Sequence, residues 1–321
     1  MKLALENLHA EKISELETYA KDKISIRGNH PKYRVPADFA NTEWFLPFNE
    51  IPIKYCPTDR YSFLNKYQSS IPKTQTWPML KGNILDDMYE QFINNLISYL
   101  NSKELSTVNV LHDFEEFESQ IMTKITEKID NKKNDLLIKP EDNEIDDFKK
   151  LITSVIHFET QLGSALIDYK ISMNDSLELK TMVTMLFPFV SKPTYTITSF
   201  GITNRVQPDF LFDNKIIIDV KSPPWIDDYY VALGGYALVY EKSNEREMNL
   251  GMIVTPEYNS TRKVPFYFNS EIVPIEDRYR REFLLRRDKL LELIKNNQDP
   301  GVPTDTQPCT SCAYFNHCCG S

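Results

Sequence analysis

The sequence predicts an α/β fold: a small mixed β-sheet flanked by helices, with a helical N-terminal region ahead of it and a cysteine cluster after it. Three observations carry this expectation. Apolar residues recur at helical spacing through the first half of the chain, then give way to short β-branched and aromatic runs. One of those runs, Lys215-Ile216-Ile217-Ile218-Asp219-Val220-Lys221, is an apolar strand ending in charge. Four of the five cysteines fall within the last thirteen residues.

Residues 1–23 read as an amphipathic helix. Residues 27–80 are rich in proline and aromatics without a clear period, and predict an irregular cap. A helix-compatible stretch starts at Gly82 and runs to Leu100, with apolar residues at helical spacing. Residues 106–172 predict two or three more helices, broken near Asn131–Lys133 and at Lys139-Pro140. Residues 193–200, 208–212 and 215–221 read as strands, the last two joined by a hairpin turn at Asp213-Asn214. Residues 226–242 predict a helix, 250–256 a strand, 264–269 a further strand, and 276–297 a long helix before a proline-rich linker. The chain divides accordingly. Residues 1–80 form the N-terminal helix and a cap carrying Cys56, residues 81–190 a helical region, residues 191–275 the sheet core, and residues 276–321 a basic helix with the cysteine segment.

The 321 residues are 41% hydrophobic and 26% charged, the composition of a soluble globular protein. No apolar run approaches the ~20 residues that span a bilayer, so no membrane partner is expected. The N-terminus lacks a signal-peptide core, and a cytoplasmic location is expected. The net charge of −9 argues at face value against nucleic acid. The charge is segregated, however. Residues 113–147 hold twelve acids against five lysines, a net of −7 that leaves only −2 for the rest.

The central constellation is Pro208-Asp209 followed by Asp219-Val220-Lys221, the PD-(D/E)-x-K pattern. Hydrolysis of a phosphodiester needs a divalent cation to neutralise charge and activate water. Mg²⁺ and Mn²⁺ prefer oxygen ligands. Asp209 and Asp219 supply them if adjacent strands bring both carboxylates to one rim, and the backbone carbonyl of Val220 adds another. Lys221 lies two residues beyond Asp219, on the same strand face, where it can position the attacking water and stabilise developing charge. The bland reading is a strand-end salt bridge between Asp219 and Lys221.

Cys309, Cys312 and Cys318 supply three thiolates from one short segment, and Cys56 is the distant candidate for a fourth. Tetrahedral zinc and a 4Fe–4S cluster both use four thiolates, and spacing does not choose between them. Cys319 is either a spare or a replacement for Cys318. His317 is either a zinc ligand or a neighbour.

In this combination and order, the chain resembles the RecB-like exonucleases that carry an iron–sulfur cluster. Within them it most resembles the CRISPR-associated Cas-four nucleases, in particular their archaeal Csa-one branch. The resemblance runs from Cys56 to Cys318. It implies a restriction-endonuclease-like core, and a 4Fe–4S cluster held by Cys56, Cys309, Cys312 and Cys318 that closes the chain around that core. It also implies an early metal-binding histidine a few residues after a glycine. Here Asp86 stands at that place after Gly82, with His157 as the rival. The family's Gln-x3-Tyr on the helix after the core appears as Tyr236 and Tyr240, with tyrosine at the glutamine position. The implied function is a Mg- or Mn-dependent DNA exonuclease acting on single-stranded ends or overhangs. It would trim prespacers in CRISPR adaptation beside the integrase complex. The two substitutions motivate a second reading, a catalytically weak DNA-binding subunit; a third is a zinc-stapled DNA-binding protein.

For nucleic acid, residues 262–295 offer nine Lys/Arg against six acids, with Arg278, Arg280, Arg281, Arg286 and Arg287 on the long helix. Arginine suits phosphate. The alternative is an ordinary helix face with ion pairs such as Glu282–Arg286. Trp225, Tyr229 and Tyr230 either stack on unpaired bases or pack the cap.

Overall fold

The computed structural model describes residues 10–35, 44–101, 110–172, 193–202, 205–212, 214–222 and 224–319. Its centre is a four-stranded mixed sheet in the order β1-β2-β3-β4, where β1 is Phe210–Phe212, β2 Ile216–Val220, β3 Leu250–Tyr258 and β4 Phe266–Pro274. β1 and β2 form an antiparallel hairpin. Asn214 in its turn takes φ 54, the left-handed region that asparagine tolerates; Asp213 lies outside the described residues. β2 and β3 run parallel, from Ile216↔Leu250 to Val220↔Val254. A parallel pair needs a crossover, and helix Asp228–Asn244 supplies it.

The helices, in chain order, are α1 (Ala10–Lys23), α2 (Arg60–Tyr67), α3 (Trp77–Asn101), α4 (Val110–Lys132), α5 (Asp142–Ser172), α6 (Asp228–Asn244), α7 (Asp277–Asn296) and α8 (Phe315–Cys319). Strand β2 explains its own composition. Ile216, Ile218 and Val220 face one core, with Leu80, Ile84, Leu85 and Met88 of α3 and side chains of α4 and α5. Ile217 faces the other core, with Leu233, Ala237 and Tyr240 of α6. Buried on both sides, the strand reads as an apolar run rather than an alternation. Helix α6 is in turn sandwiched, packing α7 and the N-terminal cap on its far side. Its apolar residues therefore go all round. Gly234 lets α7 approach: a Cβ there would sit 2.7 Å from the Tyr279 carbonyl carbon.

Two expectations need correcting. Residues 193–200 do not form a strand. They make one bridge, Tyr195↔Val206, then a short 3-10 turn over Thr198–Phe200 that ends at Gly201 with φ 70. Ile197, Phe200 and Ile202 are buried as a hook against α7 rather than paired along a sheet. The first long helix begins at Trp77, not Gly82, because Pro78 sits in the first turn, where its missing N–H goes unneeded. Among the described residues no helix is long and apolar enough to cross a membrane.

Candidate active site

The hairpin register sets the site. Phe210 pairs with Ile218, so the next step outward places Asp209 across from Asp219. Asp219 is fully buried, and Lys221 Nζ donates to its Oδ1 at 2.7 Å. Asp209 Oδ2 accepts the Val220 N–H at 2.7 Å, which locks the two strand ends together. Lys221 is anchored in turn by its own N–H, which donates to Val254 O at 2.8 Å. A cleft of about 310 Å³ opens at this rim, lined by Asp86, Gln207, Asp209, Val220, Lys221 and Tyr236, among others. Helix α3 brings Asp86 from one wall and α6 brings Tyr236 from the other.

The charges in this cleft are unbalanced. Burial pushes the Asp219 carboxyl up to about 7; Lys221 opposes the rise and Asp209 adds to it. Asp219 Oδ2 is buried with no hydrogen-bond partner. A desolvated carboxylate oxygen beside a second carboxylate calls for a proton or a cation. Among the described residues no three His, Cys, Asp or Glu side chains converge as a metal would hold them. The donor types fit a hard divalent ion nonetheless: Asp86 and Asp209 line the cleft, and the orphaned oxygen of Asp219 lies buried behind its rim.

The expected site residues divide. Tyr236 stacks on Phe48 (centroids 4.5 Å apart), and its phenol pKa lies well above the usual range, first through burial and then through Asp219. Tyr240 points into the core, edge-on to Tyr195. His157 is not brought to the cleft: its side chain is 59% exposed, with Nδ1 3.3 Å from Glu118 Oε2.

The cysteines lie in a second region of the molecule. Cys56 and Cys309 are buried, and none of the five is in a disulfide. Burial pushes the Cys309 thiol up to about 11, and Cys319, Cys56 and Cys312 push the same way, so residues some 250 positions apart share one electrostatic neighbourhood. Burial also raises Cys312 and Cys318. Thiols held this way favour the neutral form unless a cation compensates. Two donors already point at sulfur: the Tyr314 N–H at Cys312 (3.5 Å) and Arg60 Nη1 at Cys318 (3.5 Å). Free thiols with N–H donors are the residue types a thiolate-bound metal group uses, but among the described residues no three of these cysteines converge as a metal would hold them. His317 is exposed.

A family model described as CRISPR-associated exonuclease Csa1 matches residues 15–321. The chain belongs to that family. It is 26% identical over 159 residues to the CRISPR-associated exonuclease Csa1 of Saccharolobus solfataricus. The alignment covers 50% of this chain and 53% of that one, so the chain spans about half the length of the curated relative it matches. No solved structure matches it.

In this Csa1-family chain the arginine-rich helix is not the open basic path its sequence suggested. Arg280 is fully buried, donating to Ile275 O (2.8 Å), Ile26 O (3.1 Å) and Glu241 Oε2 (3.0 Å). Arg287 is buried against Tyr33 O and Asp288. Arg286 bridges Glu282 and Asp228. Only Arg278 and Arg281 of the five are exposed. Tyr229 is buried, its hydroxyl on the Ser222 and Pro224 carbonyls, and Tyr230 stacks on Tyr279. Sequence reasoning missed Gln207 and Ser222 in the cleft wall. It also missed Tyr55, whose ring lies 4.8 Å from that of Tyr61 and whose phenol feels the Lys221 charge. Tyr55 immediately precedes Cys56, so the cleft and the cysteine region are neighbours.

Proposed function

We propose that this chain is a Mg- or Mn-dependent deoxyribonuclease that carries a 4Fe–4S cluster on Cys56, Cys309, Cys312 and Cys318. The observation that carries the nuclease reading is the strand end: the hairpin register sets Asp209 across from Asp219, whose Oδ2 is buried without a hydrogen-bond partner, beside Lys221, with Asp86 on the wall of the adjoining cleft. Asp209, Asp219, Asp86 and the Val220 carbonyl would hold the divalent ion. When bound, that ion supplies charge neutralisation and acidifies water. Lys221 places a fixed positive charge where negative charge grows on the phosphoryl oxygens. Asp219 keeps that ammonium aimed by the 2.7 Å bond, and Tyr236 closes the back wall of the cleft against Phe48. The restriction-endonuclease-like core, single-stranded ends or overhangs as substrate, and prespacer trimming beside a CRISPR integrase belong to the same proposal. They draw on the family name and on the motif order.

The test is degradation of end-labelled single-stranded DNA with Mn²⁺. Lys221→Ala is expected to lose about 100-fold or more in rate while its circular dichroism stays unchanged. Equal degradation by wild type and Lys221→Ala would place the chemistry elsewhere.

A further inference from the structure

We propose that Tyr229 is a positioning residue for phosphodiester cleavage: its ring holds the Lys221 ammonium in the orientation the reaction uses. The inference deepens the nuclease reading above and rests on it. Lysine is a flexible stem ending in a point charge, and rotamer entropy opposes holding it in one place. Rate depends on where that charge sits, because much of the benefit is lost when a group strays by about 1 Å. Asp219 supplies one restraint, the 2.7 Å bond from Nζ. A single bond lets the ammonium pivot about the carboxylate. A second restraint is present: Nζ also lies over the Tyr229 ring, 5.9 Å from its centroid, within the roughly 6 Å over which a ring face attracts a cation.

The placement follows from the chain. Asp219 and Lys221 alternate with Val220, so they share the sheet face of Ile217. Helix α6 covers that face with a stripe of Tyr229, Leu233, Ala237 and Tyr240. Tyr229 is the first-turn member of the stripe, so it stands by the end of β2 where Lys221 emerges. The ring is itself fixed. Tyr229 is 9% exposed, and its hydroxyl hydrogen is shared between Ser222 O and Pro224 O, 3.3 Å from each. Those carbonyls belong to the turn that follows Lys221, so one side chain braces both the ammonium and the backbone that carries it. Lys221 lines the cleft and its side chain is 26% exposed, whereas Tyr229 does not line that cleft. The tyrosine therefore acts through the lysine and not by stacking on substrate.

The test follows end-labelled single-stranded DNA in single turnover with Mn²⁺. It reads the rate at saturating DNA and the DNA concentration that half-saturates it. Tyr229 is replaced by leucine, by phenylalanine, and by ring-fluorinated phenylalanines, which keep the shape and weaken the negative ring face step by step. Y229L is expected to slow the saturated rate roughly tenfold with the half-saturating concentration unchanged. Y229F keeps the ring and loses only its anchor, and should restore the rate to within about threefold of wild type. Along the phenylalanine series the rate should fall with each added fluorine. In a K221A background Y229L should cost nothing further, because its effect runs through the lysine. Equal rates along the fluorinated series overturn the inference, as does a Y229L loss that persists in the K221A background. A raised half-saturating concentration with an unchanged saturated rate also overturns it, since Tyr229 would then bind substrate. Should Y229L fail to fold, the fluorinated series, which nearly conserves volume, still decides. Wild-type cleavage by K221A overturns the nuclease site and this inference together. A slow K221A beside a Y229L that matches wild type overturns this inference alone.

Discussion

The cleft and the cysteine corner are neighbours built in opposite ways. The cleft is local in the chain: Asp209, Asp219 and Lys221 meet because one hairpin register puts them there. Its difficulty is electrostatic, since it holds two carboxylates together with one of them fully buried. The corner is the reverse. Its thiols are neutral and easily buried, but Cys56 must find Cys309 across most of the chain. Closing so long a loop is an entropic problem, which grows only slowly with length and which the proposed cluster would offset. Buried charge thus burdens the fold at the sheet end, while the proposed cluster would offset the ordering of the corner by tying the chain shut.

Asp219→Asn tests the electrostatic half of this contrast and should have the largest effect. Cleavage should fall by about 100-fold or more. Stability should move the other way. A carboxyl with a folded pKa of about 7 and an unfolded value of about 3.9 keeps a proton that the unfolded chain has released. Between those values the native state binds more protons, so the stability of metal-free protein falls as pH rises from about 4 to 7. Asn removes that slope, and at neutral pH the variant should gain on the order of 2–4 kcal/mol. Urea unfolding at pH 5 and pH 7.5 reads this directly. The same pH slope in both proteins would mean that Asp219 is not strained as the cleft implies.

Cys56→Ser tests the topological half. It removes one thiol from the corner and leaves the hairpin untouched. Loss of about 2 kcal/mol is expected, a fall of a few degrees in the thermal midpoint. Proteolysis should begin in the linker after α7, while the isolated hairpin chemistry loses less than tenfold. A variant that melts with the wild type and cleaves a hundredfold slower would reverse the assignment of roles.

The same contrast explains what the sequence disclosed. The strands of the cleft were legible because double-sided burial writes itself as Ile216-Ile217-Ile218, and the acids stand beside it at fixed spacing. The long helix α7 was legible from its apolar period. Its charge was not: nothing in one dimension says that Arg280 ends fully buried on Glu241 while Arg281 stays in water. The run at 193–200 has strand composition but lacks a partner strand, and its β-branched residues were spent on a core hook instead. Gln207 and Tyr55 carry no local signal at all. Gln207 lines the cleft just ahead of the hairpin, and Tyr55, which lines a separate cavity, comes within range of the Lys221 charge only through tertiary packing.

The finest comparison sets Asp86 against His157, and it predicts the smallest effect. Asp86 lines the cleft from α3. His157 lies on α5, mostly exposed beside Glu118. Surface pairs of that kind contribute about 0–1 kcal/mol. His157→Ala should therefore leave cleavage unchanged and stability within about 0.5 kcal/mol. Asp86→Ala should slow cleavage roughly tenfold or more and raise the Mn²⁺ concentration needed. Asp86→His, which restores the imidazole the family resemblance leads one to expect, should recover much of that loss, because either side chain can offer a lone pair from the same turn of α3. A His157→Ala loss alongside an unimpaired Asp86→Ala would place the third ligand on α5 and require that helix to move toward the cleft.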